Sequence, residues 1–135
     1  MEKIEIIKGN CPSKSNCYKI ISQYIRGRKK ASIGKTTKLK EFEASFLDQC
    51  KIYKDMNIEG EFKFQALVYY DSKRPDLDNA FKVILDCLQK LKAVKNDNKC
   101  VRIDALKFKD TNYPRIEFKL IPVEKWNYSG GWEMM

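Results

Sequence analysis

The sequence predicts an α+β fold, a small mixed β-sheet with two main helices packed on one face, and three observations predict it. Residues 38 to about 53 and residues 77–91 repeat apolar side chains every three or four positions, the period of a helix that buries one stripe. Residues 61–70 alternate, with Phe62, Phe64, Ala66 and Val68 on one side, as in a strand with one buried face. Two more β-rich runs, at 100–109 and 115–123, follow the second helix and supply further sheet for the helices to cover. At 135 residues the chain fits one domain with a modest core. That domain is expected over 1–124, with a basic loop at about 26–38 and a C-terminal tail at 125–135.

Taken in order, residues 18–25 mix apolar and polar positions and read as a short helix with Tyr18, Ile21 and Ile25 on one side. The run from Arg26 to Lys35 has glycines, no apolar period and dense positive charge, as expected of a mobile loop that follows phosphates. Leu39, Phe42, Phe46, Leu47, Cys50 and Tyr53 then mark the first main helix, which residues 56–60 end. The strand at 61–70 leads directly into the second main helix. Pro75 favours a helix start after it, and Asp76 can cap that helix with Asn79 three residues on. Leu77, Phe81, Ile84, Leu88 and Leu91 face the core, while Asp78, Lys82, Asp86 and Gln89 fall on the opposite side. After a polar turn at 95–99, the runs at 100–109 and 115–123 are expected to pair as an antiparallel hairpin through residues 110–114. In the tail, Trp126, Tyr128 and Trp132 could stack on bases or on a partner subunit, although such tails are more often loosely packed.

Composition narrows the function classes. No apolar run approaches a membrane span, and the first thirty residues lack signal-peptide architecture, so no membrane association and a cytoplasmic location are expected. The five cysteines include no C-x-x-C pair and read as free thiols. There is no histidine, which excludes HNH-type nucleases, His-dependent triads and RNase-A-like acid/base pairs; hydrolysis would have to run on carboxylates, lysines and metal. A net charge of +9 points to a polyanionic partner, and nucleic acid suits it better than a membrane surface, since no long basic amphipathic helix is present. Lys14, Arg26, Arg28, Lys29, Lys30, Lys35, Lys73 and Arg74 are the candidate nucleic-acid contacts.

Against that charge, the acids around the second main helix stand out. Asp76 and Asp78 open it, Lys82 lies one turn on, and Asp97 follows it in the polar turn. Asp and Lys at i,i+4 also serve as ordinary solvent-facing decoration. In this company, however, the carboxylates could gather around one hard cation such as Mg²⁺, which takes oxygen ligands, activates water and neutralises phosphoryl charge, with Lys82 as a basic neighbour.

The string D-L-D-N at 76–79, Lys82 four residues after the second Asp, and Asp97 some twenty residues on closely resemble the RusA family of Holliday junction resolvases. The opening is similar too, with a short strand at 4–7 running into the turn Pro12, Ser13, Lys14, Ser15 and Asn16, and the likeness extends to about Val123. The resemblance implies a Mg²⁺-dependent endonuclease, with Mn²⁺ as a substitute, that acts as a homodimer and cuts four-way DNA junctions by paired nicks. It implies Asp76, Asp78 and Asp97 as metal-binding and catalytic carboxylates and Lys82 as their catalytic partner. Two features depart from the family pattern: Asn96-Asp97 stands where Asp-Asp is common, and Lys73, Arg74 and Pro75 stand where some members carry an arginine run. A non-catalytic basic nucleic-acid-binding module and a ribosome-associated structural protein are the competing readings. A helix over 77–91 would span about 22 Å, and residues 92–97 return about 20 Å only when fully extended. Asn96 and Asn98 favour a tight reversal that would complete the site within one chain; the alternative is that Asp97 joins the pair of a two-fold-related copy.

Overall fold

The computed structural model describes residues 3–13 and 16–123, so Lys14 and the tail with its aromatic residues lie outside the described residues. In chain order the elements are β1 (Glu5–Lys8), β2 (Tyr18–Ile25), β3 (Arg28–Lys35), α1 (Thr37–Gln49), β4 (Phe62–Tyr70), α2 (Leu77–Lys90), β5 (Cys100–Lys109) and β6 (Arg115–Pro122). A single 3₁₀ turn at Asp97–Lys99 joins α2 to β5. The architecture is the expected α+β one, with a mixed four-stranded sheet in the order β1-β6-β4-β5 and a separate β2-β3 ribbon.

The strand β4 is central because its inward residues, Phe62, Phe64, Ala66, Val68 and Tyr70, are the most consistently buried in the sheet. It pairs antiparallel with β6 and parallel with β5, so β5 and β6 do not form the expected hairpin. Both have strand composition, but the mostly exposed β5 suits an edge, and a parallel partner for β4 needs a long crossover, which α2 supplies. On the other side β1 closes the sheet against β6.

Both helices cover the same face of the sheet. Phe118 of β6 sits at the centre of the shared core, with ring centroids 5.8 Å from Phe46, 5.6 Å from Tyr53 and 6.1 Å from Phe64. The Thr36 side chain accepts the Leu39 N–H and caps α1. That helix ends at Gln49, before the expected residue 53, because a carboxylate oxygen of the buried Glu5 accepts the Lys51 and Ile52 N–H groups at 3.0 and 2.7 Å. Tyr53 still reaches the core from the segment that follows.

The expected short helix at 18–25 and mobile loop after it are instead the two strands of the ribbon, in register from Tyr18↔Lys35 to Ile25↔Arg28. Isoleucines at 20, 21, 25 and 33 favour extended backbone, and Arg26 and Gly27, at φ 52° and 75°, supply the positive-φ pair that a two-residue hairpin turn requires. The periodicity is ambiguous because both faces of the ribbon carry isoleucine. At its base Lys35 meets Glu43 of α1 at 3.0 Å, and Lys90 of α2 meets the same carboxylate at 3.1 Å. Burial raises the Glu43 pKa, but the hydrogen bonds from the two lysines outweigh it and leave the group below its usual range. The contribution of this clamp is therefore present above the ordinary Glu pKa and lost as pH falls through the depressed one.

Truncating Phe118 to Ala should cost about 3–5 kcal/mol, since it removes the shared partner of three rings and leaves a cavity between sheet and helices. Urea denaturation measures this, and a loss below about 1 kcal/mol would show that the core is organised elsewhere.

Candidate active site

The segment before α2 is held from several sides. Nζ of Lys107, on the edge strand β5, donates to the carbonyl oxygens of Lys73 and Pro75 at 3.3 and 2.9 Å. The Tyr70 hydroxyl donates to the Asp76 carbonyl at 3.3 Å, and the Asp71 N–H donates to Asn10 Oδ1 at 2.9 Å. This loop therefore presents Asp76 from a fixed backbone. Asp76 occupies the N-cap position with extended backbone, yet its side chain makes no capping hydrogen bond, contrary to expectation. The Asn79 amide does not complete the cap either; it donates to the Pro12 carbonyl at 2.8 Å and ties the helix start to the N-terminal turn. The helix thus leaves the Asp76 carboxylate exposed and not engaged in capping, two residues before the equally exposed Asp78. Beside this loop, Lys8, Asn10, Lys38, Ser45, Arg74 and Pro75 line part of a cavity of about 740 Å³.

Asp78, Lys82 and Asp86 follow one another along the outer face of α2, as their spacing predicts. Lys82 Nζ lies 5.4 Å from the centroid of the Tyr18 ring at the foot of the ribbon. The helix then stops in a Schellman reversal: the Lys92 N–H donates to the Gln89 carbonyl, the Ala93 N–H donates to the Leu88 carbonyl, and Lys92 takes φ 59°. Val94 bridges to Ile58, and the Asp97 N–H donates to Gln89 Oε1 at 2.8 Å. Asp97 consequently lands against the C-terminal half of α2. Burial first, and then the charge of Asp97, push the Asp86 carboxyl above its ordinary range. Lys82 works in the opposite direction but does not cancel them.

The site expected within one chain is therefore not assembled. Asp78 and Asp86 are two helical turns apart, about 12 Å along the axis, and Asp97 is at the Asp86 end. Among the described residues no three His, Cys, Asp or Glu side chains come together as a metal cage. The donor chemistry still fits Mg²⁺, which needs only one or two carboxylates when water and substrate phosphate supply the rest.

Arg26, Arg28, Lys29 and Lys30 project from the exposed half of the ribbon, and Lys73 and Arg74 are exposed beside Asp76; Lys35 is committed to Glu43. Basic groups thus flank the acidic stripe from the ribbon and from the loop. The model of the RusA family, described as endodeoxyribonuclease RusA, matches residues 12–121. The chain belongs to this family. The match covers both acidic ends of α2, the ribbon and the whole sheet except β1 and the last residue of β6. No curated protein matches the chain. Membership in the RusA family makes the protein an endodeoxyribonuclease by class, and the acids and the basic ribbon are the features through which such an activity would act.

The positioning roles of Lys107, Tyr18, Asn79 and Asp86 are not legible in the sequence. Asp86 is visible in the polar stripe, but its pairing with Asp97 depends on the reversal at Lys92. The other three act across elements, and where a local signal exists, as for Asn79 in the D-L-D-N string, it does not name the distant partner.

Asp86 supplies a pH test for the metal-free protein. Its folded-state pKa is raised, so the folded state binds the proton more tightly, and stability falls as pH rises from the ordinary Asp value through the raised one. Asp86→Asn should therefore stabilise the metal-free protein at neutral pH, and the gain should vanish below about pH 3. Thermal melts across pH read this directly; a variant equally or less stable at neutral pH would show that burial and the Asp97 charge do not disfavour the ionised Asp86 carboxyl.

Proposed function

We propose that the protein is a Mg²⁺-dependent, homodimeric endonuclease that resolves four-way DNA junctions by paired nicks in cytoplasmic recombination and repair. Family membership supports the nuclease class. The observation that carries the finer reading is the exposed Asp76 carboxylate, left out of the helix cap at the head of a stripe that continues through Asp78 and Lys82, between basic surfaces. A protein that only bound DNA would have little use for exposed acids presented at that point.

Asp76, Asp78 and Asp97 would hold the ion, which when bound supplies an activated water and neutralises charge on the scissile phosphate. Mn²⁺ has compatible ligand preferences. Lys82 places a positive charge one turn from Asp78, suited to charge developing on phosphate oxygens, and Tyr18 limits the directions that the ammonium can take. The ribbon residues Arg26, Arg28, Lys29 and Lys30, together with Lys73 and Arg74, hold the DNA backbone and contribute affinity rather than sequence preference. Because α2 separates Asp97 from Asp76 and Asp78 within one chain, a second copy provides the Asp97 that completes each set. Two such centres in one dimer match two nicks per junction.

Purified protein should nick four-way junctions with Mg²⁺ or Mn²⁺ and stop in EDTA. Asp76→Asn, Asp78→Asn and Asp97→Asn should each lower nicking by at least about 100-fold while junction binding is kept or tightened, and Lys82→Ala should lower rate more than affinity. Intact junction after long incubation with either metal would remove the enzyme reading. Mixed dimers of Asp78→Asn and Asp97→Asn chains test the shared centre: nicking should reappear, because one complete set is regenerated, whereas inactive verified heterodimers would place all three carboxylates of a set in one chain.

Replacing Arg28, Lys29 and Lys30 together by Ala should weaken binding to every DNA shape and reduce the log–log salt slope by roughly 0.9 for each phosphate that is no longer neutralised. An unchanged slope would show that the ribbon points away from the DNA.

A further inference from the structure

The β2-β3 ribbon carries more than charge. Along one of its faces run Tyr18, Ile20, Ser22 and Tyr24, opposite Lys35, Ile33, Ala31 and Lys29. Ile20 and Ile33 are direct cross-strand partners, each 77% exposed, and Tyr24 is 78% exposed. Single exposed apolar residues are commonplace, but a cross-strand isoleucine pair and a tyrosine share one face here, with Ser22 and Ala31 between them, a grouping of the kind that marks an interaction site. The patch has a direction. It starts at Tyr18, whose ring lies under Lys82 Nζ of the acidic stripe, and extends about 20 Å along the ribbon to Tyr24.

The occupant of this face is indicated by charge. From Tyr18 to Lys35 there is no Asp or Glu, and beside Lys35, which Glu43 already holds, Lys19, Arg26, Arg28, Lys29 and Lys30 are all cationic. A second copy of the same ribbon would bring like charges together, and an ordinary protein surface offers no matching density of negative charge. Nucleic acid does, and a two-stranded ribbon has the dimensions to enter a groove. Isoleucine and tyrosine gain little from the paired, stacked interior of linear duplex. Where helices meet at a branch point, stacking is interrupted and base faces become accessible to apolar wedges and aromatic rings.

We infer that Ile20, Ile33 and Tyr24 form an apolar strip that packs on the opened base pairs at the centre of branched DNA and so distinguishes a junction from duplex, while the cations beside it hold phosphates. This rests on the junction-nuclease reading and names the residues that give it selectivity. Phosphate contacts alone would grip any DNA shape; the strip makes the branch point the preferred address next to the stripe at Lys82.

The test is binding in EDTA, so that it is independent of cleavage. Four-way junction and linear duplex carrying 2-aminopurine beside the branch position are titrated with the wild-type protein, with the triple variant Ile20→Ser, Ile33→Ser, Tyr24→Ser, and with the conservative variant Ile20→Val, Ile33→Val, Tyr24→Phe. Circular dichroism and sedimentation first establish that each variant keeps the wild-type fold and oligomeric state. The wild-type and conservative proteins should prefer junction and raise 2-aminopurine emission there. The serine variant should lose about tenfold or more of junction affinity and the emission change, with duplex affinity and salt slope unaltered. Equal loss on both DNAs, an unchanged preference, or no preference in the wild type would each overturn the inference. Loss of the dimer or of the fold in the serine variant, with either retained in the conservative one, would assign the strip to contact between copies or to the folded core and overturn it as well. Failure of the nuclease reading is separable: a wild-type protein that shows the strip-dependent preference yet never nicks with Mg²⁺ or Mn²⁺ keeps the strip and loses the catalysis.

Discussion

Much of this molecule follows from one requirement, that β5 run parallel to β4. Antiparallel neighbours can be joined by a tight turn, but a parallel neighbour obliges the chain to travel back along the whole strand before it can pair. The helix α2 makes that journey, and its 14 residues cover about 21 Å against about 30 Å for the nine residues of β4. The two ends of the helix therefore lie toward opposite ends of the sheet, Asp76 near the end of β4 and Asp97 just before the start of β5. The distance between the acids is a property of the topology. No choice of turn residues at 95–99 can remove it.

The same crossover explains how charge is tolerated around a small core. Glu5 and Glu43 are both buried, and each is held at a seam: Glu5 where α1 ends, Glu43 where the ribbon and both helices meet. These carboxylates have partners and stabilise packing, whereas Asp76 and Asp78 stay on the surface at the start of a helix that does not use Asp76 as its cap. Four of the five cysteines, Cys11, Cys17, Cys50 and Cys87, join the interior as small apolar groups, and burial pushes the thiols of Cys50 and Cys87 up to about 12, so they are inert at neutral pH.

What can be read from the sequence is what each segment expresses locally. The amphipathic period of α2, the alternation of β4 and the D-L-D-N start are all contained within a few turns or residues, and they locate the two main helices, four of the strands and the acidic stripe. Pairing between distant segments is not legible. Nothing in the composition of β5 and β6 states that β4 lies between them, and the ribbon is hidden because isoleucines on both faces erase the alternation that marks a half-buried strand. The neighbourhood of Asp97 is illegible for a related reason: a lysine, not a glycine, takes the left-handed position at 92, so the stop signal that usually announces such a reversal is absent.

The pairing of β1 with β6 sets the order in which the chain can be completed. Glu5–Lys8 finds its sheet partner in Arg115–Pro122, so the earliest of these strands to leave the ribosome waits for nearly the whole domain before it can hydrogen-bond. Contacts of that span slow folding. The central β4, by contrast, can collect α2 and β5 from the sequence that immediately follows it. A nascent chain would accordingly assemble outward from β4, with Glu5 arriving late to catch the end of α1, and until then the apolar face of the growing sheet is the surface that a chaperone would meet.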